Sequence, residues 1–260
     1  MKLWPGSRVL ITGASRGIGR ALAEAFAARG CVTGLVARSE EELRALAGSL
    51  PGEGHEVLPA DVGEHDQTAD AVARFGRVDV VVANAGVADY APFMKMERES
   101  LERMTKVNWL ATAYTVHAAL PGMLERRRGH IVLVSSGAAL RSFPEAAVYG
   151  ATKAAQRGFG EALWHELAGT GVDLTLAYPG EVETEIHAHE RDSLPAWRTY
   201  AEEADPESLA RRVVEAVEGG KRAVYDPPLV RILRVANGLS PQLADLLVRR
   251  QRGVSAAPRR

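Results

Sequence analysis

The sequence predicts an α/β domain built on a seven-stranded parallel sheet with helices on both faces. Three observations predict it. Short β-branched runs alternate with longer stretches of helical period, most of the strand-like runs are apolar throughout, and 260 residues can bury one large core without disulfides or metals.

The strand-like runs fall at residues 8–12, 32–37, 56–59, 78–83, 130–135, 172–178 and 222–225. Helical period occupies 18–29, 40–50, 65–75, 97–120 and 148–169. A stretch rich in Pro, Glu, Asp and Trp, 185–206, breaks the rhythm and reads as a lid within a first unit spanning 1–227. Residues 228–260 form a basic, amphipathic extension. Seven Arg stand there against one acid, Asp245, so the segment carries +6 and the remainder −7 in a chain of net charge −1.

Composition excludes several classes. Apolar residues at 46% and charged residues at 25% are ordinary for a folded globular chain and wrong for a disordered or fibrous one. The single cysteine, Cys31, cannot form an internal bridge, so a cytoplasmic setting is expected. Met1 and Lys2 lead almost directly into the first strand without an apolar signal region, and no apolar run reaches the roughly 18 residues of a membrane span. Neither export nor a bilayer crossing is expected.

The first strand ends in Thr12-Gly13-Ala14-Ser15-Arg16-Gly17-Ile18-Gly19, and a helix follows at once. A phosphate-binding turn needs that setting: Gly13 for a tight turn, Gly17 for close backbone approach to a diphosphate, Gly19 for packing of helix on strand, and a helix N-terminus offering N–H donors. The spacing is GxxxGxG rather than GxGxxG, and the plain alternative is a glycine turn that only connects strand to helix. Here the sequence resembles the short-chain dehydrogenase/reductase family, whose nucleotide turn is usually TGxxxGxG. The resemblance implies a Rossmann-type doubly wound fold, with Gly13, Ser15, Arg16, Gly17, Ile18 and Gly19 holding a dinucleotide.

The second strand ends Val36-Ala37-Arg38-Ser39. An acid at this point holds the ribose of NAD, whereas a basic group accommodates the 2′-phosphate of NADP. Ala37 stands where NAD-linked relatives generally carry Asp, so Arg38, with Ser39 beside it and Arg16 as a second cation, predicts NADP(H). The alternative is a solvated arginine at a strand end. Asp61-Val62 resembles the family's adenine contact. Asn84-Ala85-Gly86 resembles its NAG motif, with Ala83 in place of the usual first Asn.

Tyr149 and Lys153 lie four residues apart in a helical stretch, on one face and one turn apart. A phenol titrates near pH 10, too high for proton exchange at neutral pH, and a neighbouring cation favours the phenolate, so the pair suits general acid/base chemistry. With five Lys in the chain, six tyrosines meet one at this spacing by chance only about 0.1 times. Thirteen residues earlier, Ser136 ends the fifth strand, where α/β sheets place ligands. The resemblance makes Ser136, rather than Ser135, the donor to a substrate oxygen. It makes Asn108 the residue that holds a proton-relay water; a helix kink or a surface polar group is the competing reading of Asn108. Pro179, Gly180, Val182 and Thr184 resemble the family's PGxVxT segment along the nicotinamide.

The whole reads as NADP(H)-dependent hydride transfer between nicotinamide and a carbonyl or alcohol carbon of a hydrophobic small molecule, in a homodimer or homotetramer. Leu140, Phe143, Tyr90, Phe93 and Trp197 are the candidate apolar walls. Dehydratase or epimerase chemistry, or a silent nucleotide-binding regulator, are the alternatives. Ser136 lacks the GxSxG elbow of a serine hydrolase. His187 and His189 read as solvated lid residues rather than metal ligands. Arg126-Arg127-Arg128 reads as a turn cap, and no nucleic-acid partner is expected. For the basic extension, packing on its own subunit or an oligomer interface is preferred over an amphipathic surface that touches anionic membrane or covers a lipid-like substrate.

Overall fold

β-Branched and leucine-rich runs become strands because both of their faces are covered. In β1 (Arg8–Thr12), Val9 and Ile11 face one way and Leu10 the other, and all three are 1% exposed or less. The same alternation divides β4 (Val80–Ala83) and β5 (Gly129–Val134) between two separate cores. With β2 (Val32–Ala37), β3 (Glu56–Pro59), β6 (Val172–Pro179) and β7 (Ala223–Asp226), they form a seven-stranded parallel sheet in the order β3-β2-β1-β4-β5-β6-β7. The computed structural model describes residues 1–180, 205–240 and 242.

One face packs on α1 (Gly17–Ala27), α2 (Glu40–Ser49) and α7 (Pro206–Glu218), through Leu22, Phe26, Leu43, Val213 and Val217. The other packs on α3 (His65–Phe75), α5 (Ala111–Glu125) and α6 (Ala147–Glu166), through Phe75, Val116, Met123 and Leu163. α8 (Leu229–Leu239) follows β7 and sends Val230 into this second core.

Three differences from the sequence expectation have physical causes. The helical stretch 97–120 is not one helix: α4 (Arg98–Met104) passes through a π-helical turn, Thr105–Leu110, into α5, which runs through Pro121 to Glu125. Six residues are too short a stretch for periodicity to tell a π-helical turn from an α-helical one. Second, the lid boundary at 206 is too late, because Asp205 already caps α7, accepting from the backbone N–H of Glu207 and Ser208, with Pro206 opening the helix. The rest of 185–206, including His187, His189 and Trp197, lies outside the described residues. Third, the arginine run does more than cap a turn. Arg126 donates to the Val78 carbonyl, Arg127 to that of Gly169, and Arg128 lies 3.8 Å from the centre of the Trp4 ring, lacing together the end of the sheet opposite the site.

Strand order reverses between β1 and β4, and a single hydroxyl joins the two carboxyl ends. Thr12 Oγ1 donates to the Val82 carbonyl (3.3 Å) and accepts from the N–H groups of Asn84 (3.0 Å) and Ala85 (3.2 Å). Thr12 is 2% exposed, so water cannot replace these partners. Thr12→Val is therefore expected to cost about 2 kcal/mol in chemical denaturation, a fall in Tm of roughly 4–8 °C. A loss below about 0.5 kcal/mol, the range of an ordinary surface substitution, would show that the hydroxyl does not hold the junction.

Candidate active site

β1 delivers its chain to the crevice opened by the strand reversal, and the glycine turn there is shaped by sterics. Gly13 has φ +66°, and a Cβ on it would stand 2.9 Å from Ala85 Cα. A Cβ on Gly19 would stand 2.0 Å from the Gly13 carbonyl oxygen and 2.6 Å from Asn84 Nδ2. Gly19 thus lets the helix close on the turn itself rather than on the strand. Asn84 fastens this corner, its amide donating to the carbonyls of Thr12 (3.0 Å) and Gly13 (3.2 Å). Gly86 follows it. No side chain caps the N-terminus of α1, although Ser15, Arg16 and Ile18 surround it, so its first N–H groups point to the crevice. A diphosphate fits the donor set and the polarity of such a terminus.

Arg38 ends β2, is exposed, and makes no hydrogen bond or ion pair among the described residues. Ser39 caps α2 by accepting from Glu42 N–H, and Glu40 is paired with Arg44, which leaves Arg38 as the cation at this strand end. After β3, Asp61 accepts from Gly63 N–H (2.9 Å) in a tight turn beside buried Val62.

The second half of the site hangs from β5 and α6. Ser135 donates to the Lys153 carbonyl (2.9 Å) and is committed to the fold. Ser136 only accepts, from Ala138 N–H (3.1 Å), and its hydroxyl proton has no acceptor among the described residues. The structure thereby supplies a reason, beyond spacing, for choosing the second serine. Tyr149 lies in the first turn of α6, and Lys153 Nζ is 5.9 Å from the centre of its ring. Lys153 is 4% exposed and donates to the Val134 carbonyl (3.1 Å), two residues before Ser136. Burial pulls its amine down from 10.5 to about 8. Lys153 Nζ and Asn108 Oδ1 converge on Gly86, each 3.4 Å from where a Cβ on that residue would stand.

Asn108 sits in the π-helical turn, fully buried, and is no surface group. Its Oδ1 accepts from Val87 N–H (2.7 Å), while its amide donates to the Val87 carbonyl (2.9 Å) and Thr152 Oγ1 (3.0 Å). Its backbone carbonyl accepts from Thr112 Oγ1 (2.9 Å) and Gln156 Nε2 (2.8 Å). Those two side-chain donors engage the carbonyl, whereas Oδ1 has a second lone pair beside the one that accepts from Val87. Thr152 and Gln156 were not singled out from sequence. The signal existed: 149, 152, 153 and 156 follow the i, i+3, i+4, i+7 rule and share one face of α6.

Tyr90 packs edge-on against Tyr149 at 5.8 Å and tilts against Phe143 at 6.1 Å, forming an aromatic wall at the site. Leu140 is instead a core residue at 3% exposure, and Phe93 lines a different groove with Trp109, Val148 and Ala151. Pro179 closes β6, and Gly180 donates to the Asp226 carbonyl (2.6 Å); Val182 and Thr184 lie outside the described residues.

A model of the short chain dehydrogenase family matches residues 7–195. The chain belongs to the short chain dehydrogenase family. A curated relative described as an uncharacterized oxidoreductase, from Myxococcus xanthus, is 35% identical over 249 residues, covering 94% of this chain and 96% of that protein. A short-chain dehydrogenase from Sphingobium yanoikuyae solved in complex with NADPH superimposes with a TM-score of 0.80 at 29% identity, covering 98% of this chain and 99% of its own. A family member from Burkholderia phymatum in complex with NAD gives a TM-score of 0.85 at 25% identity over the full length of both chains. This short chain dehydrogenase is thus an oxidoreductase of nicotinamide-using type, and its relatives divide between the two dinucleotides. Among its described residues no helix is long and apolar enough to cross a membrane.

Lys153 generates a stability prediction with a definite sign. In the unfolded chain its amine titrates near 10.5 and in the fold near 8, so between those values the unfolded chain binds more protons and stability rises with pH. Wild type is expected to gain about 2 kcal/mol over Lys153→Met on going from neutral pH to about pH 10, measured by denaturant unfolding of both proteins. A difference between them that does not change with pH would mean the amine is not held in a dry site.

Proposed function

We propose that this short chain dehydrogenase is an NADP(H)-dependent oxidoreductase that interconverts a carbonyl and an alcohol on a hydrophobic small molecule, with Tyr149 as general acid/base. The observation that carries the reading is the buried Lys153 ammonium beside the Tyr149 ring, next to a serine hydroxyl with a proton left to donate. NADPH, when bound, supplies a hydride to the carbonyl carbon. Gly13, Gly17, Gly19 and the open first turn of α1 hold its diphosphate, and Arg38 its 2′-phosphate. Asp61 and Val62 serve the adenine end, Asn84, Ala85 and Gly86 brace the crevice, and Pro179, Gly180, Val182 and Thr184 the nicotinamide end.

Ser136 donates a hydrogen bond to the substrate oxygen, and the Tyr149 hydroxyl passes its proton to that same oxygen as negative charge develops there. The phenolate left on Tyr149 is stabilised by the Lys153 ammonium, whose cost of burial is recovered when the opposite charge forms. Asn108 keeps the segment after β4 in register with α6 and offers its remaining Oδ1 lone pair to a relay water. Alcohol oxidation runs the same steps backward. Tyr90 and Phe143 favour an apolar substrate. The apolar groove of Phe93, Trp109, Val148 and Ala151, with Met94 91% exposed nearby, supports assembly into a homodimer or homotetramer. A cytoplasmic site is consistent with buried Cys31, whose thiol burial pushes up to about 11.

Two measurements test this. Tyr149→Phe is expected to lower kcat by about a hundredfold to ten-thousandfold while dinucleotide affinity stays within a fewfold of wild type; full turnover in the variant on any identified substrate defeats the mechanism. Arg38→Asp is expected to lower the ratio of NADPH to NADH efficiency by at least about tenfold, the worth of one charge-assisted contact to phosphate. An unchanged ratio removes Arg38 from the cofactor assignment.

A further inference from the structure

The two faces of α8 have different partners. Val230 and Ala236 turn inward at 8% and 5% exposure, whereas Ile232, Val235 and Leu239 stand 55%, 55% and 78% exposed. These three, spaced by three and four residues, form one stripe, and half of the six large apolar side chains exposed among the described residues are on this helix. Arg231 and Arg234 are exposed beside the stripe, Arg234 donating to the Tyr225 hydroxyl, and the helix carries no acid. Preference for packing on the protein's own subunit is therefore met by one face only.

We propose that α8 docks flat on an anionic lipid surface, its Ile232, Val235 and Leu239 stripe entering the interfacial region and Arg231 meeting the headgroups. Charge complementarity selects this occupant: +6 is concentrated from Pro228 to the C-terminus, against −7 on the remainder, so α8 opens the basic segment of the chain. A protein partner fits less well, because a stable interface takes roughly 20 residues a side and three apolar side chains do not supply one. At 11 residues the helix is about 16 Å long, half a bilayer core, so it lies in the interface rather than spanning it. The inward face makes the docking consequential. Val230 Cγ1 is 3.5 Å from where a Cβ on Gly137 would stand, and its Cγ2 is 3.7 Å from the same point on Gly180. The docked helix is thus the wall behind Ser136, which brings that end of the site to a surface where apolar carbonyl compounds partition. That last consequence rests on the proposed function; the docking does not.

The test is cosedimentation of the full chain with sucrose-loaded vesicles of phosphatidylcholine alone and of phosphatidylcholine with phosphatidylglycerol, at low and high salt. Partition is expected into the anionic vesicles only, released by salt. It should fall at least about tenfold in the triple variant Ile232→Ser, Val235→Ser, Leu239→Ser, and about fivefold or more in Arg231→Glu. Circular dichroism melting checks that the variants fold, and Val235→Ser alone serves if the triple does not. The proposal is overturned by wild type remaining in the supernatant, by serine variants that pellet as well as wild type, or by a triple variant that shifts from oligomer to monomer on size exclusion, which would assign the stripe to a second copy. Reductase turnover plays no part in the readout, so failure here leaves the catalytic reading standing, and the reverse.

Discussion

The candidate site exists because β1 and β4 are neighbours, with two strands wound out on one side of the pair and three on the other. Their carboxyl ends are tied through the Thr12 hydroxyl, which satisfies three backbone groups that no water can reach. From that junction the glycine turn departs on one side and the Asn84 to Val87 segment on the other, and Asn84 links them again through the carbonyls of Thr12 and Gly13. The dinucleotide crevice and the place reserved for Lys153 are consequently one construction: Gly86, two residues beyond Asn84, is where Lys153 Nζ and Asn108 Oδ1 converge.

Around Lys153 the fold tolerates a cost that the proposed chemistry would use. An ammonium with 4% exposure, held by the Val134 carbonyl and pulled down to about 8, is unfavourable to folding at neutral pH. Several of its neighbours are meanwhile tied down by hydrogen bonds: Ser135 by the Lys153 carbonyl, Thr152 by Tyr149, Asn108 by Val87, Thr152, Thr112 and Gln156. A rigid, hydrogen-bonded surround with one under-compensated cation at its centre is what preorganised catalysis requires.

Much of this was legible in the residue order. The strands were readable to within about two residues because parallel strands buried on both faces are apolar runs, and β1, β2 and β3 lie where their composition places them. The glycine turn and the Tyr149, Lys153 pair were legible because their spacing is set by local geometry. α7 was missed, although Asp205, Pro206 and Glu207 spell a helix start, because the acidic, proline-containing stretch before it masked the signal. The π-helical turn was invisible, since it occupies only six residues inside a longer helical stretch.

The order of the amino acids alone determined the α/β class, the family, the glycine turn between β1 and α1 and the one-turn separation of phenol and amine, because each depends on residues adjacent in sequence or one helical turn apart. Tertiary structure decided the rest. It engaged Ser135 with the Lys153 carbonyl while leaving the Ser136 proton without an acceptor among the described residues, brought Thr112 and Gln156 to the Asn108 carbonyl, and divided α8 between an inward and an outward face. Ser135 meets Lys153 across 18 residues of chain and Asn108 meets Gln156 across 48, and hydrogen-bond occupancy and burial at such range are properties of the packed core rather than of any local run of letters.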